Sequence, residues 1–587
     1  MTSSYFPEKF SAEEKKYLRP FFSNWDKQVF VVQHLPEEVI GALSSRYSRT
    51  VHSLRRLFIN EYVNPIIYPE KQKSWGETNS KDRKEAGKTR DKFKEIVDFL
   101  NRTGGVDMVV NIQRARKFFD TWLAQYGDDS IAEMGGVHVS LEGISNIAGE
   151  EIINKRIGIS PLAKSSRYVS YADKRADGHF QYVVPEEVQG TKLETEYRRA
   201  MDGLFEAYSG QAEPYLEYIK REFPKGEDET EASFGNTRSA KRWDDLRDLL
   251  PFATQTNIAL FGNGRAFEDV INRLMAHPLT ELRQLGGDLC EELEKVVPSF
   301  VRRPKTDRGR EIQDYRSRVG GLKMSLSGKY LTPRKVKARL PERRIILLDY
   351  SQDAAQSIIA RFLFEGGGLS LEDIVKAVKK WPRKRVAEVL GKILAVRKMG
   401  KTEAGREEVR FRKVPRAFEN AYYDFEVWAR GGDFRDLHRH RQNTEGHQVF
   451  TAAWGYELEE EAAKSPFVKV IRERLEEAGR LAEKLGRISP YVAAYAVPFA
   501  YLQHWYWRLT AREIYWMVEL RTSPQGRSHY RHICQEIARQ VTKVCPEVFS
   551  GLMTDWNEYK LSRREAEKKI EVKLAALKNG PKSKRFN

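Results

Sequence analysis

A glutamate, an apolar strand and a basic block follow one another twice in this chain, once in each half. In the second half Glu419-Asn420 precedes the apolar-aromatic segment Ala421 to Trp428, and Arg435-Asp-Leu-His-Arg-His-Arg441 comes after it. In the first half Glu133 precedes Val137 to Ser145, and Asn154-Lys-Arg156 and Ser165-Ser-Arg-Tyr168 come after. A recurrence of this kind constrains each half to build its core around its own apolar strand. Inside the block, consecutive Arg and His side chains cannot all leave one face of a helix or strand, so some must turn toward a cleft. Arginine offers a rigid fork of donors that matches phosphate or carboxylate. Histidine adds a group whose charge changes near neutral pH.

The 587 residues suffice for roughly three to four average domains or two large ones. A hydrophobic content of 40% and an aromatic content of 11% fill real cores, which excludes a disordered chain. No run approaches the roughly 20 apolar residues of a spanning helix, and Met1 to Lys9 carries no signal-peptide core. The three cysteines, Cys290, Cys534 and Cys545, lack paired metal-ligand spacing. We therefore expect no disulfide framework, no metal site and a reducing, cytoplasmic setting. Cys545 ends a helical pattern and reads as a core or capping thiol. The net charge of +18 favours anionic partners: nucleotides, phosphorylated cofactors, polyglutamylated folates or nucleic acid.

Residues 1–25 read as a polar lead-in. A strand is expected at Val29 to Val32 and a helix starting at Pro36, where a missing amide does no harm. Residues 68–92 are rich in Lys, Glu, Gly and Ser and read as a mobile insertion. Glu194 to Phe223 has the spacing of one long helix, and 224–240 reads as a surface loop. Residues 302–340, basic and poor in apolar side chains, read as a linker between a first domain at 26–301 and a second at 341–555. The aromatics of Tyr501 to Trp516 recur at helical spacing and read as core. Residues 556–587 form a basic tail.

Arg439-His440-Arg441-Gln442-Asn443-Thr444 resembles the Arg-His-Arg-x-x-Ser motif of the flavin-dependent thymidylate synthase family, with Thr for Ser. The first-half block follows the same family order, continued by Arg247-x-x-Leu-Pro251 and Asn263-x-Arg265. In the second half Ala493 to Pro498 stands in the place of the Arg-x-x-Leu-Pro step, Thr510-x-Arg512 in that of Asn-x-Arg, and Arg521 lies nine residues on. The chain thus looks like a tandem duplication of two diverged copies. The resemblance implies an α+β protein of two tandem α/β domains, each a mixed sheet flanked by helices, with helical extensions. It implies FAD as cofactor, methylenetetrahydrofolate and NADPH as co-substrates, and dUMP as substrate, methylated reductively to dTMP.

The resemblance gives catalytic roles to Arg439, His440, Arg441 and Arg521. Ser165, Arg167, Tyr168 and Arg247 would bind substrate, and Glu133, Asn263, Arg265, Glu419, Arg512 and Thr444 would bind cofactor. The family works without a protein nucleophile, so no catalytic dyad is expected. Each copy departs from the pattern. The first has Asn154-Lys155-Arg156 for the basic triplet, Leu162 and Ala163 within the motif, and Met134 where the family has His. The second has Asn420 at that His position and Val449-Phe-Thr-Ala452 for Ser-x-Arg-Tyr. The losses are complementary, which implies composite sites. The family's homotetramer implies a homodimer of tandem chains. Two other readings stay open: a related flavin- and folate-dependent pyrimidine nucleotide methylase or hydroxymethylase, and a catalytically dead paralogue that binds a nucleotide or nucleic acid.

Overall fold

A computed structural model describes residues 5–72, 80–104, 116–117, 132–154, 157–167, 169–331, 340–399, 409–564, 567–568 and 571. Two four-stranded sheets organise them. The first comprises β1 (Val29–Val32), β2 (Gly136–Ser145), β3 (Ile159–Ala163) and β4 (Gln255–Asn263); the second, β5 (Ile345–Tyr350), β6 (Tyr422–Arg430), β7 (Asn443–His447) and β8 (Leu502–Thr510). Their orders are β1-β2-β4-β3 and β5-β6-β8-β7, the same arrangement twice. The registers repeat as well. Gly136 and Tyr422, which open β2 and β6, face Asn263 and Thr510, which close β4 and β8. Ile159 and Asn443, which open β3 and β7, each face the residue before that last one. The duplication is therefore a duplication of backbone. All strand pairs are antiparallel, where a mixed sheet was expected.

Each sheet belongs to a separate compact unit, and each unit includes a segment from the other half of the chain. Unit 1 comprises 1–209, 250–336 and 477–497; unit 2 comprises 210–249, 337–476 and 498–587. In unit 1, Val139, Leu141, Ile258 and Leu260 are buried on the sheet, and a second cluster forms around Phe22, Phe30, Tyr47 and Phe58. In unit 2, Trp505 and Trp507 point inward from β8 while Tyr506 and Arg508 point out. That period of two corrects the helical reading of Tyr501 to Trp516, whose first part is strand; the placement in the core holds for Tyr501, Trp505, Trp507 and Tyr515 and fails for exposed Tyr506.

Four further differences from the sequence expectations concern helices, and in the first of them tertiary packing overrides local propensity. The segment 224–240, read as a loop, enters helix Glu231–Leu246, capped by Thr230 Oγ1 on the Ser233 amide at 3.1 Å. Its basic side chains turn inward: Arg238 meets Glu229 at 2.8 Å. The single helix expected from Glu194 breaks into Glu194–Gly210 and Ala212–Glu222. Part of the 68–92 insertion belongs to helix Ser80–Thr103. The 302–340 stretch is largely helix Asp307–Tyr330, held to unit 1 by Gln313 Nε2 donating to Asn272 Oδ1 at 2.9 Å. Among the described residues no helix is long and apolar enough to cross a membrane.

Candidate functional site

The repeated register sets the first pairs of candidate residues. Asn263 and Thr510 close their strands and cap helices Gly264–Met275 and Ala511–Arg521, accepting from the Ala266 and Glu513 amides at 2.8 and 3.2 Å. The second helical residue is then an arginine in each unit. Arg265 donates to Glu133 at 2.7 Å and Arg512 to Glu419 at 2.8 Å, so the arginine and glutamate expected at the cofactor find each other twice. Arg512 also donates from Nε to the Val414 carbonyl at 3.0 Å.

The basic block in unit 2 splits as its crowding requires. Helix Gly431–Leu437 ends inside it, two residues before Arg439, and β7 begins just after. Arg439, Arg441 and Thr444 are exposed, while His440 is buried. Arg521 Nε donates to His440 Nε2 at 3.0 Å, so that nitrogen carries no proton. His440 Nδ1 must then be the N–H, donating to Glu513 at 2.6 Å. Burial, helped by the Arg521 charge, lowers the His440 pKa against the pull of Glu513. The ring is a neutral hinge between a glutamate and an arginine, not a third cation. Glu445 takes a parallel role one step away, with His438 Nδ1 and Trp507 Nε1 each at 2.5 Å.

Arg247 arrives in unit 2 with the 210–249 segment. Its Nη2 donates to Asp436 at 2.6 Å and to the Gly432 carbonyl at 3.2 Å, on the helix that leads into the basic block. Beside it lies a buried charge network. Arg430, which ends β6, donates to Asp248 at 2.8 Å, Asp433 at 3.0 Å and Glu459 at 2.7 Å. Arg527 donates to the same Glu459 at 2.9 Å and to Asp248 at 3.2 Å. Gly432 admits this crowd: a Cβ there would lie 3.3 Å from Arg527 Nη1 and 3.4 Å from Arg247 Nη2. Burial alone would raise the Asp433 carboxyl, yet Arg430 and His529 hold it well below the usual range. Nearby, Lys241 pairs with Asp245 at 3.0 Å and Glu461 at 2.6 Å. One lysine serves several acids, and burial with that competition pushes Asp245 up to about 7.

The corresponding corner of unit 1 has neutral partners. Ser145 ends β2, and its amide and Oγ donate to Glu281 at 2.8 and 2.7 Å. Tyr495, from the 477–497 segment, donates to the same carboxylate at 2.5 Å. Burial raises the Glu281 pKa against those donors. Ser165 and Arg167 also belong to unit 1; the Ser165 amide donates to the Ser48 carbonyl at 2.9 Å. Tyr168, Lys155 and Arg156 lie outside the described residues. The structure thus groups Arg247, Glu419, Arg439, His440, Arg441, Thr444, Arg512 and Arg521 in unit 2, and Glu133, Ser165, Asn263 and Arg265 with Arg167 in unit 1.

Sequence reasoning missed Asp436, Glu513, Asp248, Arg430 and Arg527. Two carried a local signal: Asp248 sits inside the Arg-x-x-Leu-Pro step and Glu513 follows Arg512. Their partners lie 182 and 73 residues away, so no spacing rule finds the pairs.

A family model described as thymidylate synthase complementing protein matches residues 68–299 and 373–547. A UPF0159 protein of Chlamydia pneumoniae is 32% identical over 570 residues, covering 96% of this chain and 98% of that protein. A UPF0159 protein of Thermoplasma acidophilum is 28% identical, over 80% of this chain and 94% of that protein. A flavin-dependent thymidylate synthase of Mycobacterium sp. (strain JLS) is 29% identical over 180 residues, which cover 30% of this chain and 65% of that protein.

Proposed function

The chain belongs to the thymidylate synthase complementing protein family, and from that premise we propose that it is a flavin-dependent thymidylate synthase. It methylates dUMP to dTMP, with FAD as cofactor, methylenetetrahydrofolate as carbon donor and NADPH as reductant. The observation that carries this reading is the meeting, within unit 2, of Arg247 with Asp436 on the helix that runs into Arg439, His440 and Arg441. The donor set suits a phosphate-bearing flavin. Arg439 and Arg441 are exposed on either side of His440, and Arg527 Nη1 is buried without a hydrogen-bond partner among the described residues.

Bound flavin would supply the redox and one-carbon-carrying chemistry. The protein's part is to bind and orient. Arg439 and Arg441 hold phosphate, which suits a fork of donors charged at any working pH. Neutral His440 positions Arg521, whose guanidinium stabilises charge that develops on the pyrimidine carbonyls. Arg247, fixed by Asp436, binds the nucleotide phosphate. Ser165, Arg167 and Tyr168 are further substrate contacts. Glu133, Asn263, Arg265, Glu419, Arg512 and Thr444 serve the cofactor. Two tandem chains assemble into a homodimer of twice 68.1 kDa, which light scattering measures.

Tritium release from dUMP labelled at the ring C5, with FAD, methylenetetrahydrofolate and NADPH supplied, tests the reaction. Release is expected from the parent protein and its loss from Arg247→Ala, with flavin content retained in both. A parent protein that takes up no flavin and releases no tritium overturns the reading.

A further inference from the structure

Unit 1 contains a cavity of about 620 Å³ at the end of β2 and β4 away from Glu133 and Arg265, closed on one side by the segment from Tyr5 to Lys9. That volume is in the range of sites for small molecules and cofactors. A glycine shapes its floor. Gly143 has φ +64°, where the register of β2 against β4 slips, and its amide donates to Asn257 Oδ1 at 2.9 Å. A Cβ there would lie 2.9 Å from the Tyr5 ring.

The cations around this cavity are unequally served. Arg55, just behind the wall, pairs with Glu142 at 2.9 Å, Arg175 pairs with Asp177 at 2.8 Å, and Arg56 pairs with Glu14. Lys164 differs. It is only 4% exposed, its amide donates to the Asn257 carbonyl at 2.8 Å, its ammonium sits 4.9 Å above the Tyr171 ring, and among the described residues that ammonium has no hydrogen bond and no ion pair. The carboxylate whose field reaches it is Glu142, and that group is fully engaged. Glu142 Oε1 accepts from Tyr47 Oη at 3.2 Å and the Leu54 amide at 3.0 Å; Oε2 accepts from Tyr5 Oη at 3.0 Å and Arg55 at 2.9 Å. Burying an ammonium without a partner is expensive, and burial accordingly pushes the Lys164 amine down to about 8 despite Glu142. A fold that keeps such a group on a cavity wall has a place for an anion. Asn257 adds a second donor, because its oxygen is spent on Gly143 and, among the described residues, its amide nitrogen has no hydrogen-bond partner. The Tyr5, Phe6 and Val51 side chains give the ligand an apolar wall.

We propose that this cavity binds a small molecule through a phosphate or carboxylate group seated against Lys164 Nζ, with the Asn257 amide as second donor. The cavity belongs to unit 1 and the Arg439–Arg441 block to unit 2, and the proposal does not rest on the function proposed above.

Trace acetylation of the full-length protein at about pH 8, read by peptide mass spectrometry, tests it with inorganic phosphate and with citrate as the two probes. An anion on Lys164 raises its pKa, and one unit of rise from about 8 slows acetylation roughly fivefold at this pH, because the neutral fraction falls from about one half to about one eleventh. At least one probe is expected to slow Lys164 by that factor while exposed Lys192 is unchanged, and which probe does so separates phosphate from carboxylate recognition. The same protection is expected in Arg441→Ala. Thermal stabilisation by the effective probe is expected to vanish in Lys164→Met; where that variant does not fold, the labelling of the parent decides alone. Equal Lys164 labelling with and without both probes at tens of millimolar overturns the proposal. Protection that disappears in Arg441→Ala, or stabilisation that persists in Lys164→Met, also overturns it.

Discussion

Ser145 closes β2 in unit 1 where Arg430 closes β6 in unit 2, and the groups around each differ accordingly. The first corner holds one carboxylate, Glu281, met by a backbone amide and two hydroxyls. The second holds two arginines, Arg430 and Arg527, among Asp248, Asp433 and Glu459. The segments that enter from the other half of the chain match this split. Tyr495 stands three residues before Pro498 and brings a hydroxyl; Asp248 stands three before Pro251 and brings a charge. One backbone thus supports a neutral corner and an ionic one. The ionic corner adjoins the Arg-His-Arg block, so the two copies have diverged most in charge where unit 2 keeps its candidate site.

The comparison breaks most readily at Arg430. Arg430→Met leaves buried Asp248 and Glu459 sharing Arg527 and Asp433 with His529, and should destabilise unit 2 by about 3–5 kcal/mol. Urea unfolding followed by tryptophan fluorescence measures it, and a loss under about 1 kcal/mol would mean that the network contributes as little as an exposed pair.

The next effect is a dependence on pH. Asp245 titrates near about 7 in the folded chain, whereas an unfolded aspartate titrates near ~4. Between those values the folded state holds a proton that the unfolded state has released. This group's contribution to stability therefore falls as pH rises through that window and levels off above it. The melting temperature of Asp245→Asn relative to the parent should rise from pH 5 to pH 8. A difference that stays constant across those scans removes Asp245 as the cause.

Flavin affinity sharpens the functional side of the contrast. Arg441→Ala should weaken FAD binding by roughly 1.5–3 kcal/mol, the worth of one charge-assisted contact, as read by fluorescence titration of the flavin. Unchanged affinity would take the block out of the cofactor site. The smallest effect is expected in the neutral corner. Tyr495→Phe removes one of three donors to Glu281 and should cost about 1 kcal/mol. A loss as large as that of Arg430→Met would erase the distinction between the corners.

Much of the strand framework was legible because it rests on local pattern. Val29 to Val32 and Tyr422 to Trp428 carry apolar runs that only a sheet or a core helix can absorb, and both are strands. The segment 224–240 misled because Ser, Asn and Thr favour loops when nothing else decides. Here inward salt bridges such as Arg238–Glu229 decided for a helix. At the candidate site, the pairing of Glu133 with Arg265 and of Glu419 with Arg512 joins residues that motif order had already singled out. The neutral state of His440 was not legible. It follows from Glu513 on one nitrogen and Arg521 on the other, and from burial that no run of sequence encodes.

The sequence by itself determined that the chain holds two copies of one architecture, since apolar periodicity and motif order are local and survive divergence. Tertiary structure alone decided which half serves which unit. The 210–249 segment joins the second sheet and 477–497 joins the first. Only there does Arg247 meet Asp436, and Asp248 meet Arg430. A buried charge is tolerable only beside its partner, and where that partner comes from is fixed by the path of the chain in space.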